Sequence, residues 1–98
     1  MPTVAEHVAD PVLARSLALH PHVALRPEPF GALAYHYDTR RLVFLKHPDV
    51  VRVVRALADH DTVRDALDAC EIAPARHASF AAAIAGLLDS EMLCDRPR

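Results

Sequence analysis

An α+β fold is predicted for this chain, on three observations. Three short segments in the front half alternate apolar and polar residues with a period of two. Beyond Pro48 the apolar period changes to 3.6. The strands come as one run and the helices as another, which places helices on one face or end of an antiparallel sheet. The expected order is a three-stranded antiparallel sheet followed by three helices. That is the content of a winged helix-turn-helix module with its sheet moved to the front.

The first strand is expected over 22–27, with Val23 and Leu25 on one side and Ala24 and Arg26 on the other. Pro27, Pro29 and Gly31 break it. Residues 32–38 alternate again, with Leu33, Tyr35 and Tyr37 opposite Ala32, Ala34 and His36. A link of hairpin length, Asp38 to Arg40, leads to a third strand over Arg41 to Lys46. Short links make the three a meander.

Pro48 suits the first turn of a helix. Val50, Val54 and Leu57 then share a stripe with Val51 and Ala58, and Arg52, Arg55 and Asp59 lie opposite. Thr62 opens a second helix, with Asp65 three places on as in a capping box. Val63, Ala66, Leu67 and Cys70 form its apolar face. A third helix, about 75–89, carries Phe80, Ile84, Leu87 and Leu88 among six alanines. Residues 1–20 read as a peripheral, partly flexible extension, with Pro11 starting a short helix that aligns Leu13 and Leu17. The domain proper is expected over 21–93, with Met92 and Leu93 docking, and a tail over 94–98.

The bulk numbers exclude several classes. A 98-residue chain makes one domain with one core. Its two glycines cannot build a phosphate-cradling loop. A net charge of -2 argues against a dedicated nucleic-acid binder. No signal peptide and no apolar run of membrane-spanning length is present, so a cytoplasmic location with reduced thiols is expected. Cys70 and Cys94 form no CxxC, and Cys70 reads as a small buried apolar residue. The seven histidines (His7, His20, His22, His36, His47, His60 and His77) make no metal-ligand spacing and read as solvated side chains. No metal, no cofactor and no catalytic residue is expected.

The stretch Arg40-Arg41-Leu42-Val43-Phe44-Leu45-Lys46 poses the functional question. Four large apolar residues in a row suit a strand buried on both faces, and a chain this small can cover only one. Either Val43 and Leu45, or Leu42 and Phe44, pack on the first helix. If the strand is also an edge, the three flanking cations blunt it against unwanted pairing. Alternatively the edge is kept open for a guest strand, and the cations favour an acidic guest. The alanines of the third helix likewise read either as one wall of a groove or as close packing in the core. The residue pattern alone leaves both questions open.

The pieces "VALRPEPFGAL" (23–33), "TRRLVFLK" (39–46) and "VVRALADH" (53–60) resemble the mycofactocin biosynthesis chaperone family, relatives of the PqqD-like precursor-peptide recognition domains. The resemblance covers about 20–93. PqqD-like domains generally carry asparagine after the leucine that ends this strand; Lys46 stands there instead, as in the mycofactocin branch. The resemblance implies a non-catalytic chaperone that binds the leader of a short precursor peptide, MftA, and presents it to a radical S-adenosylmethionine enzyme, MftC. It implies a docking edge at Arg41, Leu42, Val43, Phe44, Leu45 and Lys46. It implies a helix wall at Arg76, Phe80, Ala83, Ile84 and Leu87.

Three rivals are weaker. A winged-helix DNA-binding regulator needs a basic recognition helix, and the third helix offers only Arg76 and His77 near its start. An enzyme has no local catalytic motif to rest on, and without CxxxCxxC the chain is not itself the radical enzyme. A homodimer paired through the Arg41–Lys46 edge is compatible with the chaperone role, because an edge that accepts a guest accepts its twin.

Overall fold

The computed structural model describes residues 10–96. Its chain order is a 3-10 turn over Pro11–Ala14, then β1 (Leu17–Leu19), β2 (Val23–Glu28), β3 (Gly31–His36) and β4 (Leu42–Leu45). The helices follow: α1 (Pro48–Ala56), α2 (Val63–Ala69) and α3 (His77–Asp89), with a last strand β5 (Leu93–Asp95). Strands β2, β3 and β4 form the expected antiparallel meander in that spatial order. Its register is regular, with Val23 opposite His36, Leu33 opposite Phe44 and Ala34 opposite Val43.

The sheet buries its small face. Ala32, Ala34 and His36 point inward, and α1 packs on β3. Leu33 and Tyr35 remain half-exposed on the outer face. Small inward residues let the helix lie close, and that closeness seals Val53, Val54 and Leu57 of the α1 region into the core. Val50 and Val51 are only half-buried, and Ala58 is exposed, so the true stripe is turned slightly from the expected one. Helix α2 is capped as its sequence predicts: the Thr62 hydroxyl accepts from the Asp65 N–H at 3.1 Å.

Both later helices end in the same way without a glycine. After α2, Glu71 takes φ 62°, and the Ile72 N–H returns to the Leu67 carbonyl at 3.0 Å. After α3, Glu91 takes φ 66°, and the Met92 N–H returns to the Leu87 carbonyl at 2.9 Å. Each is a Schellman ending whose following residue, Ile72 or Met92, is buried.

The ends of the described chain differ from expectation. The segment before residue 20 is not peripheral: Val12, Leu13, Leu17 and Ala18 are buried, and β1 pairs antiparallel with β5. The Pro11 helix is one 3-10 turn, started by Asp10 accepting from the Val12 N–H, and Leu17 belongs to the strand beyond it. Met92 and Leu93 are buried as expected, but Cys94 and Asp95 continue as strand rather than tail. A three-residue pair is stable here because its apolar residues fill the space between the helices, and the Arg15–Asp95 ion pair, 2.6 Å long, closes its rim. The rest of the expected extension, residues 1–9, and of the expected tail, 97–98, lies outside the described residues. Among the described residues, no helix is long and apolar enough to cross a membrane.

Candidate functional site: the β4 edge and the cleft beside α3

Among the described residues strand β4 has one neighbour, β3, and its other edge is unpaired. Backbone alternation fixes what that edge offers. The Arg41 carbonyl accepts from the His36 N–H at 3.0 Å, and the Leu45 carbonyl lies against Gly31 on β3. Odd-numbered residues of β4 therefore bond to β3, and the N–H and C=O groups of Leu42 and Phe44 point away from the sheet. The opposite edge, on β2, is less available. Its outward-facing positions are Val23, Leu25 and Pro27. The Val23 N–H is already bonded to the His20 carbonyl at 2.9 Å, and Pro27 has no N–H to give.

The side chains divide by the same parity. Leu45 is buried and Val43 half-buried on the inner side, whereas Leu42 is 55% and Phe44 57% exposed on the outer side. Between β4 and α3 runs an apolar cleft of about 390 Å³. Val43, Phe44, Leu45 and Lys46 form one wall, Val50 of α1 lies between, and Ala83, Gly86, Leu87 and Ser90 form the other wall. On the far wall, Gly86 is exposed, and a Cβ placed on it would meet nothing within 4 Å.

Six residues expected at the site line this cleft: Val43, Phe44, Leu45, Lys46, Ala83 and Leu87. Arg41 and Leu42 lie on the same edge, just beyond it. Three do not line it. Phe80 and Ile84 are buried in the core, because α3 turns its large residues inward and leaves its small ones toward the cleft. Arg76 sits at the start of α3 with its guanidinium 5.0 Å from the centre of the Phe80 ring and 3.1 Å from Asp49 Oδ2. Val50, Gly86 and Ser90 join the cleft without having been expected there. Gly86 carries the one sequence signal that points to them: a glycine within a helix weakens it unless bulk there is unwanted.

Charge is arranged unevenly around the cleft. Asp49 is bonded by Arg52 at 2.9 Å and by Arg76, and these two guanidinium groups, Arg52 first, hold its carboxyl below the usual aspartate range. That triad ties α1 to the start of α3. By contrast, Arg40, Arg41 and Lys46 are exposed and make no ion pair among the described residues.

The outer sheet face gathers the exposed aromatic residues. Phe30 packs edge-on against Phe44 with ring centres 5.7 Å apart, and Tyr35 against Tyr37 at 5.4 Å. Two histidines are buried rather than solvated. His36 Nδ1 accepts from the N–H groups of Asp38 and Thr39, shaping the turn that delivers β4, while its Nε2 has no hydrogen-bond partner among the described residues. His77 Nε2 bonds the Ile72 carbonyl at 2.9 Å. His7 lies outside the described residues. No group of three or more metal-ligating side chains occurs among the described residues.

A family model described as the Peptide chaperone MftB family matches residues 16–94. A "Peptide chaperone MftB" from Mycolicibacterium smegmatis is 50% identical over 91 residues, covering 92% of this chain and 87% of that protein. One from Mycobacterium ulcerans is 49% identical over 79 residues, covering 81% of this chain and 72% of that protein. One from Mycobacterium tuberculosis is 46% identical over 87 residues, covering 84% and 75%. No solved structure matches the chain. The class of the protein is thus a non-catalytic peptide chaperone, not an enzyme. The chain belongs to the Peptide chaperone MftB family.

Proposed function

We propose that this chain binds the leader of a short precursor peptide, MftA, as an added strand on β4, and presents it to the radical S-adenosylmethionine enzyme MftC in the cytoplasm. One observation carries the reading: the open edge of β4 borders an apolar cleft whose far wall is made mostly of small residues, Ala83, Gly86 and Ser90 beside Leu87. The outward N–H and C=O groups of Leu42 and Phe44 supply main-chain bonds to a guest strand. Alternate guest side chains enter the cleft against Ala83, Gly86 and Ser90, and the others lie beside Leu42 and Phe44. Arg76, Phe80 and Ile84 hold the wall from behind, without touching the guest. The chaperone contributes geometry and no chemical step.

Calorimetric titration with the precursor, full length and then cut to its leader, tests this. Binding is expected to survive loss of the C-terminal end. Phe44→Pro removes an N–H that β3 does not use, so it is expected to leave the fold intact and abolish binding. Equal affinity for the parent and this variant would place the peptide elsewhere.

A further inference from the structure

An antiparallel sheet packed on one side normally shows polar residues to water on the other. Here α1 packs on the inner side, against β3, and the outer side is apolar. The strand register lines that side up: Leu33 stands opposite Phe44, and Tyr35 stands between Ala24 and Leu42. Phe30 leans on Phe44, and Tyr37 leans on Tyr35. The large apolar residues that are exposed among the described residues, Phe30, Tyr37, Leu42 and Phe44, all belong to this face. An ion pair from Arg26 to Glu28, 2.7 Å long, marks its β2 side. A contiguous exposed patch of this kind, with a charged rim, marks an interaction site.

Geometry and size decide what covers it. A guest strand on β4 lies in the plane of the sheet, beside the face, and leaves it open. It adds a fourth column, because guest residues opposite Leu42 and Phe44 turn their side chains to the same outer side. Two copies stacked face to face would bury too little. Three short strands about 4.8 Å apart offer roughly a few hundred Å², and a stable interface takes about 800 Å² from each partner. A partner that spans both the face and the guest's column gains area only when the guest is in place.

We propose that the outer face of β2, β3 and β4, carried by Leu33, Tyr35 and Tyr37, is the docking surface for the peptide-modifying enzyme, and that a bound guest strand completes it. The inference rests on the function proposed above and adds the surface through which the peptide is handed on. The enzyme binds the loaded chaperone more tightly than the empty one. By linkage, it tightens the peptide on β4 by the same factor.

The test is calorimetric titration of MftC with the full chain, alone and saturated with the precursor leader, for the parent, Tyr37→Ser and Ala24→Glu. Tyr37 is 57% exposed, and Ala24 lies on β2, two strands from the β4 edge. Both variants are expected to bind the leader within about twofold of the parent, which also reports an intact fold, and to bind MftC about tenfold more weakly. The parent is expected to bind MftC about fivefold more tightly with leader than without. Variants that bind MftC like the parent overturn the docking surface. So does loss of leader and MftC together in both variants, since the face would then serve the peptide or the fold. A parent that sediments as a dimer, made monomeric by either substitution, assigns the face to a second copy and overturns it as well. Equal MftC affinity for the loaded and empty chaperone overturns completion by the guest. A parent that binds leader but not MftC overturns the inference and the presentation step together, and leaves leader binding standing. A parent that binds no leader refutes the proposed peptide site, and the titrations of the empty chain and its two variants with MftC still decide the docking surface.

Discussion

The carbonyl oxygen of Leu45 occupies the place where a side chain on Gly31 would begin: a Cβ there would lie 2.1 Å from it. Gly31 also holds φ at 150°, a conformation side-chain-bearing residues rarely adopt. This contact seats β4 on β3 and so places the edge at which a guest strand is proposed to bind. Gly31→Ala is expected to destabilise the fold by about 2–3 kcal/mol, as strain at a special backbone position does. In a domain of this size the melting temperature should fall by about 10 °C or more. Leader affinity should fall with it, because β4 must shift to make room. A melting temperature equal to the parent's would show that the Gly31–Leu45 contact is not essential.

Gly86 separates binding from folding. It is exposed in the last turn of α3, on the cleft side, with open space where a Cβ would stand. Gly86→Ala is expected to stabilise the protein by about 0.5–1 kcal/mol through helix propensity and to bind the leader nearly as well. Gly86→Leu keeps most of that stability but fills the cleft, so leader affinity should drop by tenfold or more. Calorimetric titration of the two variants beside thermal melts reads both effects. A Gly86→Leu protein that melts no lower and binds like the parent would remove the cleft from the binding site.

The strands and helices were legible where a period ran long enough to be read. Residues 31–36 alternate cleanly, and Thr62 announces α2 by its cap. The inward face of β3 was not legible, because hydrophobicity favours burying Leu33 and Tyr35, while close approach of α1 favours Ala32 and Ala34. In α3, Phe80 and Ile84 drew attention as the largest residues, yet largeness marks the core side; the cleft wall is the adjacent stripe of Ala83, Gly86 and Ser90, whose smallness leaves no amphipathic signal. The β1–β5 pair escaped for a different reason. Each strand has three residues, and Leu19 meets Leu93 from the other end of the chain, so no local pattern records the contact.

Two helices end on a left-handed glutamate where glycine is the usual residue. Glu71 and Glu91 each bear the strain of positive φ. Replacing either by glycine relieves about 1–2 kcal/mol of steric cost and gives back about 0.5–1 through the freer unfolded chain. The expected net gain is about 0.5–1 kcal/mol for each, a rise of about 3–6 °C in the melting temperature. The positions are far apart in sequence and end different helices, so Glu71→Gly and Glu91→Gly together should be additive. Melts of the two single variants and the double check this, and no rise in either would mean that the glutamates relax out of the left-handed region.

Asp49 makes one part of the stability depend on acid. Its hydrogen bonds from Arg52 and Arg76 hold the carboxyl below the ordinary aspartate value. A depressed folded-state value means that the ionised form is the one the fold favours. The contribution is therefore fully present above the unfolded aspartate value of about 3.9, and it is lost as pH falls through that value toward the lower folded one. The tie between α1 and the start of α3 should loosen in this window, and with it the wall opposite β4. Asp49→Asn removes the titration and the charge together. Its denaturation midpoint is expected to lie below the parent's at neutral pH and to approach it as the pH is lowered below 4. Parallel midpoints from pH 7 down to pH 3 would show that Asp49 makes no ionisation-dependent contribution to the fold.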